Sequence, residues 1–250
     1  METIGNITWE IKEAIGVLSL GPPPGNLLAD PVFVPSETLI QWTSDPSLKG
    51  IMVHGKGRHF SAGADLECLT RMAASEERTA ERMNDGKKIL SHLEALPVPV
   101  VAAIQGVCFG GGLEIALACK IRLCAENALF AFPEVNHRVL PGLGGTVRLQ
   151  QTVSPVAALT MILGGDTINA EEALRVGLVD RIFPREKLFS AGIALLQKMT
   201  RNRQPEVIHA VMNALRHSST MTEEEAMREE TRMFCKLAKK ESERRSSEQS

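Results

Sequence analysis

Apolar and polar positions alternate from Ile7 to Leu20, which predicts two short strands around a turn at Glu13–Ala14. Gly21-Pro-Pro-Pro-Gly25 then interrupts regular structure. Pro35 to Thr43 reads as a short helix. Ile51 to His54 reads as a strand that Gly55-Lys56-Gly57 ends, and Phe60-Ser-Ala-Gly-Ala-Asp-Leu66 as an irregular, small-residue segment. From Ser75 to Leu96 the period becomes helical, with Met83, Ile89, Leu90, Leu93 and Leu96 on the apolar side, until Pro97 and Pro99 stop it. Val100 to Ile104 is a continuous apolar run, the pattern of a strand buried on both faces. Gly110 to Cys119 is a glycine turn opening an apolar helix. Ile121 to Ala125 and Leu129 to Phe132 are two further strands joined around Asn127, and Pro141 to Thr146 is a second glycine turn. Beyond it the chain reads as mostly helical, with capping-box spacings at Asn169/Glu172 and Thr222/Glu225. Lys236 to Ser250 has almost nothing apolar and is expected to be a frayed helix and a disordered tail.

Strands thus gather before residue 135 and helices after it, and no linker divides the chain. The expectation is an α/β protein in which 1–184 form a core carrying the site. Residues 185–250 form a helical region ending in a polar tail, the whole being one functional unit.

Composition narrows the function classes. A net charge of −2 gives no broad attraction to nucleic acid or acidic membrane, and two Trp, eight Phe and no Tyr make a poor base-stacking surface. The five cysteines are odd in number and none has C-x-x-C spacing, so a reducing, cytoplasmic setting fits better than a disulfide framework or a zinc knuckle. No signal-peptide pattern opens the chain and no apolar run is long enough to span a bilayer. His54 and His59 have no acidic or cysteine partner at a metal spacing, so no metal site is expected. Ser61 is not in a G-x-S-x-G elbow, and Pro141 to Thr146 lacks the ending of a phosphate-binding loop.

The informative residue is Glu114, set among Gly112, Leu113, Ile115, Ala116, Leu117 and Ala118. A helix apolar on nearly all sides is buried, and a carboxylate within it has its pKa raised, which suits acid–base chemistry. A structural carboxylate bonded to backbone or to an arginine fits the same pattern. The glycines before it leave free N–H groups at a helix start, a place for negative charge or simply a tight strand–helix connection. Glu134, at a strand end just past Pro133, is placed either to line a cleft or to face solvent.

Together, Phe60-Ser-Ala-Gly-Ala-Asp-Leu66, Gly110-Gly-Gly-Leu-Glu114, Pro133-Glu134 and Pro141-Gly142 resemble, in order and spacing, the crotonase (enoyl-CoA hydratase/isomerase) superfamily. The two glutamates stand twenty residues apart. Ala170 to Asp180 is similar to the family's segment after the active site. The resemblance implies a crotonase-like ββα spiral core with a helical C-terminal region. It implies an oxyanion hole from the N–H groups of Ala64 and Gly111, and catalysis by Glu114 and Glu134, which hold a water between them. Substrate contacts are implied at Ala62, Asp65, Leu66, Gly110, Pro133 and Gly142, with Asp65 and Leu66 along the coenzyme A path and Gly142 close to the water. The substrate is an acyl-CoA or acyl-carrier thioester, with no separate cofactor because coenzyme A belongs to the substrate. Assembly is as a homotrimer or hexamer. The implied reaction is reversible hydration of a 2-enoyl-CoA. The alternatives are isomerase, decarboxylase or dehydratase chemistry on the same kind of thioester, or, in another class, an RNA-binding hydratase relative.

This chain also departs from the family's pattern. Phe132 stands where hydratases often carry glutamine, and His137-Arg138 replaces a stretch that commonly includes glycine. Both changes are expected to reshape the acyl pocket. The segment after Leu237 does not resemble the family's C-terminal helix, so no C-terminal coenzyme A ligand is named.

Overall fold

The computed structural model describes residues 1–248. In chain order these form β1 (Glu2–Ile4), β2 (Ile7–Lys12), β3 (Ile15–Leu20), α1 (Ser36–Thr43), β4 (Gly50–Gly55), α2 (Leu66–Met72), α3 (Glu76–Ala95), β5 (Val100–Ile104), β6 (Val107–Phe109) and α4 (Gly111–Ala118). There follow β7 (Ile121–Ala125), β8 (Leu129–Ala131), a 3₁₀ turn (Pro133–His137), α5 (Gly145–Thr152), α6 (Pro155–Gly164), β9 (Ile168–Asn169), α7 (Ala170–Arg175), β10 (Arg181–Phe183), α8 (Arg185–Thr200), α9 (Pro205–Thr220) and α10 (Glu223–Glu248). The large sheet runs β1-β2-β3-β4-β5-β7-β10, antiparallel through its first three strands and parallel thereafter. A small sheet, β6-β8-β9, stands apart from it.

The continuous apolar runs are explained by two cores. In β4, β5 and β7 successive side chains point to opposite faces. Ile51, Val53, Val100, Ala102, Ile104 and Cys124 join one core with the helices α3 and α4. Met52, Val101, Ala103, Leu123 and Ala125 join the other, which α8 closes with Leu188 and Leu196. Both faces are dry, so no polar alternation survives in the sequence. The turn at Glu13 and Ala14 is present, both residues at positive φ.

Local chemistry sets the helix ends. Ser75 caps α3, its Oγ accepting from the Arg78 N–H, with Glu76 and Glu77 in the first turn. Asp65 caps α2 by accepting from Glu67 N–H (2.9 Å) and Cys68 N–H (3.1 Å). Asn169 caps α7, and Thr222 and Glu225 bond reciprocally ahead of α10.

Three readings change. β1, α2 and β6 form where none was expected, and β9 and β10 lie beyond residue 135. The strands among them, of two or three residues, are too short to show a period, and the seven-residue α2 buries no side chain fully. The expected frayed end is a helix as far as Glu248, while Gln249 and Ser250 lie outside the described residues. Its polar surface is laced by pairs one turn apart, such as Arg228–Glu224, Arg232–Glu229 and Arg245–Glu241, and Lys240 reaches Glu206 on α9.

Gly112 tests the packing of α4. A Cβ there would lie 2.6 Å from Ser61 O and 2.8 Å from Ser61 Cβ. Alanine adds helix propensity of roughly 1 kcal/mol, but overpacking costs about 1–3 kcal/mol, and here the obstacle includes backbone. Gly112→Ala is expected to lower stability in urea unfolding; a neutral or stabilising result would show that the loop yields.

Candidate active site

α4 owes its start to Gly110, which holds φ +48°, a conformation that L side chains rarely adopt. A side chain there would also bring Cβ within 2.6 Å of Glu134 Oε1. The Gly110 N–H donates to Ala131 O, pinning the turn to β8. The next N–H, that of Gly111, is the first of the helix, and it has no acceptor among the described residues.

A second loop meets it. Ala62 N–H donates to Gly25 O, Leu28 N–H to Gly63 O and Asp65 N–H to Leu28 O, so segments 25–28 and 62–65 are stitched together. The Ala64 N–H lies between these bonds and, among the described residues, has no acceptor. Gly63 turns the chain here at φ +89°, and a Cβ on it would stand 3.5 Å from Gly111 N. The Ala64 and Gly111 turns are therefore immediate neighbours.

All eight residues of α4 are buried, and Glu114 is only 2% exposed. Its Oε1 accepts 2.7 Å bonds from Leu143 N–H and Gly145 N–H, in the second glycine turn. Burial pushes its pKa up to about 7, and the Glu134 charge acts in the same direction; the Gly145 and Leu143 N–H groups and the Arg148 guanidinium oppose them. Glu134 is half-buried in the 3₁₀ turn. Its Oε2 is buried without a partner among the described residues, and burial raises its pKa as well.

A cavity of about 530 Å³ opens over these groups. Of the residues singled out from sequence, Ala64, Asp65, Gly111, Glu114, Glu134 and Gly142 are on its wall; Ala62, Leu66, Gly110 and Pro133 are beside it in the chain but not on the wall. Asp65 points its carboxylate into the cap of α2, and Leu66 is half exposed. Phe132, His137 and Arg138, expected to reshape the pocket, are not themselves on its wall. Phe132 is fully buried beneath the start of α5, against Gly145, and the wall is instead formed by Val139 and Leu140. Other wall residues escaped the sequence reading: Leu28, Leu69, Met72, Met83, and an ion pair in which Arg82 donates to Asp30 through Nη2 (2.6 Å) and Nε (3.2 Å). They come from three separate segments with no common spacing. Among the described residues no group of three His, Cys, Asp or Glu is arranged to hold a metal ion.

The raised pKa of Glu114 has a stability consequence. An acid whose folded pKa, about 7, lies above its unfolded value, 4.5, is tolerated in its neutral form and opposes folding as pH rises through that interval. At pH 8 the penalty is of order 3 kcal/mol. Glu114→Gln keeps an oxygen for the two N–H groups. It is expected to raise stability at pH 8 and leave it nearly unchanged at pH 4, as measured by denaturant titration at both pH values. Equal effects at the two pH values would contradict a neutral-favouring site.

Comparison with known proteins agrees with this geometry. Residues 10–249 match the family described as enoyl-CoA hydratase/isomerase. A probable enoyl-CoA hydratase of Bacillus subtilis (strain 168) is 34% identical over 232 residues, covering 91% of this chain and 88% of its own. Among solved structures, an enoyl-CoA hydratase of Geobacillus kaustophilus HTA426 superposes with a TM-score of 0.87 at 28% identity, covering 94% of this chain and 89% of its own. An enoyl-CoA hydratase of Bacillus anthracis superposes with a TM-score of 0.84 at 27% identity, covering 92% and 90%. The crotonase-like α/β fold expected from the sequence is borne out, and the chain belongs to the enoyl-CoA hydratase/isomerase family.

Proposed function

We propose that this chain catalyses the reversible addition of water across the double bond of a 2-enoyl-CoA thioester. The observation that carries this reading is the convergence of two carboxylates and two unengaged N–H groups on one cavity. The thioester oxygen lies between the Ala64 and Gly111 N–H groups, at the N-terminus of α4, where negative charge is favoured. As water attacks the β-carbon, the C=C electrons move toward the thioester oxygen and these donors hold the enolate charge. Removing one such donor typically costs ~10²–10³ in rate.

The surroundings of the glutamates divide the labour. Glu114, whose pKa burial lifts to about 7 against two N–H bonds that favour the carboxylate, takes the proton from water in its ionised form. Glu134, whose Oε2 is buried without a partner among the described residues, faces the same cavity and delivers the proton to the α-carbon in its protonated form. Each cycle leaves Glu114 protonated and Glu134 ionised, and exchange with solvent restores them.

Other readings rest on different observations. Val207, Val211 and Leu215 form an exposed stripe along α9, 36%, 52% and 63% accessible, which supports a homotrimer or hexamer. Among the described residues no helix is long and apolar enough to cross a membrane, and all five cysteines are free, which supports a reducing compartment such as the cytoplasm.

Turnover of a panel of 2-enoyl-CoA thioesters by wild type, Glu114→Gln and Glu134→Gln tests the reaction. Each variant is expected to lose roughly 10²–10⁴ in kcat. Full activity in either would remove that residue's role, and isomerisation retained without hydration would separate the two reactions. Light scattering should give three or six times the chain mass, and Leu215→Glu should lower it; a monomer in the wild type would end the assembly reading.

A further inference from the structure

We infer that Arg148 is a positioning residue that holds the turn Leu143–Gly145 and thereby favours the ionised form of Glu114. The inference rests on the hydration reading, in which Glu114 must be ionised to accept a proton.

Arg148 lies in the first turn of α5 and is 8% exposed. Its Nη1 donates to Leu143 O at 2.8 Å, its Nε to Glu94 Oε2 at 3.2 Å and its Nη2 to Ser91 Oγ at 3.4 Å. Leu143 is thereby gripped at both ends: its C=O by Arg148 and its N–H by Glu114. The turn between them passes through Gly144, where a Cβ would come within 2.6 Å of Arg148 Nη1, so the guanidinium lies directly against the backbone that feeds Glu114. One planar fork thus fixes the loop that presents two N–H donors to the carboxylate, and it brings a positive charge to that shell.

The charges around Glu114 can be assigned element by element. From the 3₁₀ turn, Glu134 disfavours its ionisation; from α5, Arg148 favours it. Glu94 and Ser91, on α3, orient Arg148, and Glu94 partly neutralises it. On the cavity wall Arg82 and Asp30 offset each other, Asp65 is engaged by the α2 cap, and Arg71 of α2 and Arg78 of α3 stand on the same wall. Lysine would keep the charge of Arg148 but cannot reach three acceptors from one plane.

The test is a pH titration of the Glu114 carboxyl in the full chain, read by difference infrared spectroscopy against Glu114→Gln, together with the kcat/KM profile. Arg148→Met is expected to raise the midpoint by roughly one pH unit and to move the acid limb of kcat/KM with it. Glu94→Gln is expected to lower the midpoint by about 0.3 pH units. Arg148→Lys is expected to hold the midpoint while kcat falls about tenfold with KM little changed. A merely structural arginine would lower the melting temperature and leave the midpoint in place. An unmoved midpoint in Arg148→Met overturns the inference; where that variant does not fold, an unmoved midpoint in Glu94→Gln does. Wild type without hydratase activity, but with these infrared shifts, would sink the reaction and leave the arginine's effect on Glu114 standing.

Discussion

The structure is organised around a carboxylate held in an apolar helix. Glu114 occupies a helix with every residue buried, where an unsatisfied carboxylate would cost several kcal/mol. Two 2.7 Å backbone bonds reduce that cost without abolishing it, which leaves the group near neutrality. The arrangement dictates much of what surrounds it. The turn after Pro141 must run close over α4 with two N–H groups facing down. Its conformation must then be secured from outside, which the Arg148–Leu143 bond accomplishes. A segment that could be a generic strand-to-helix connection is, in this fold, the solvation shell of one side chain.

The second requirement is that two backbones approach each other without side chains between them. The Ser61–Asp65 loop and the start of α4 touch through Gly63, Gly111 and Gly112, and Phe109 N–H donates to Ser61 O at 3.0 Å. This contact puts two unengaged N–H groups side by side. Ser61 is part of the same construction rather than a nucleophile: it is fully buried, its Oγ donates to Asn26 O and accepts from Gly63 N–H. Asn26, also fully buried, donates to the carbonyls of Lys56, His59 and Phe60 and so fixes the approach to the loop. The two N–H groups are held in place because the groups on both sides of them are consumed by structure.

How much of this was legible in the sequence follows from the range of the interactions. The burial of Glu114 was readable because its neighbours along one helix are apolar, and its bonding to backbone, with an arginine nearby, was one of the two readings left open. Strand β5 was readable as buried on both faces, and β4 and β7 as strands. The adjacency of Ala64 and Gly111 was not: it arises from the Leu28–Ala64 and Ser61–Cys108 bridges between segments far apart in the chain, and only the order of motifs shared with a known family pointed to it. Phe132 misled for a related reason. Its position two before Glu134 suggests a shared environment, yet the chain bends into the 3₁₀ turn at Pro133, so Phe132 packs under α5 while Glu134 turns to the cavity. Proximity in sequence does not survive a change of backbone direction.

These two levels of legibility coincide with a division in the site itself. The end that handles charge is built from backbone N–H groups and two carboxylates, held by buried glycine contacts and bonds that tolerate little change. The rest of the wall is built from side chains of α2, α3 and the Val139–Leu140 segment, the last two 54% and 66% exposed, with the Asp30–Arg82 pair set among apolar neighbours. Substitution there changes the shape and polarity of the wall without touching the bonds that hold Glu114. A fold with this partition can keep its N–H groups and carboxylates fixed while the rest of the wall changes. The wall away from the glutamates is thus set by Leu69, Met72, Arg82, Met83, Val139 and Leu140, while Phe132 lies beneath α5.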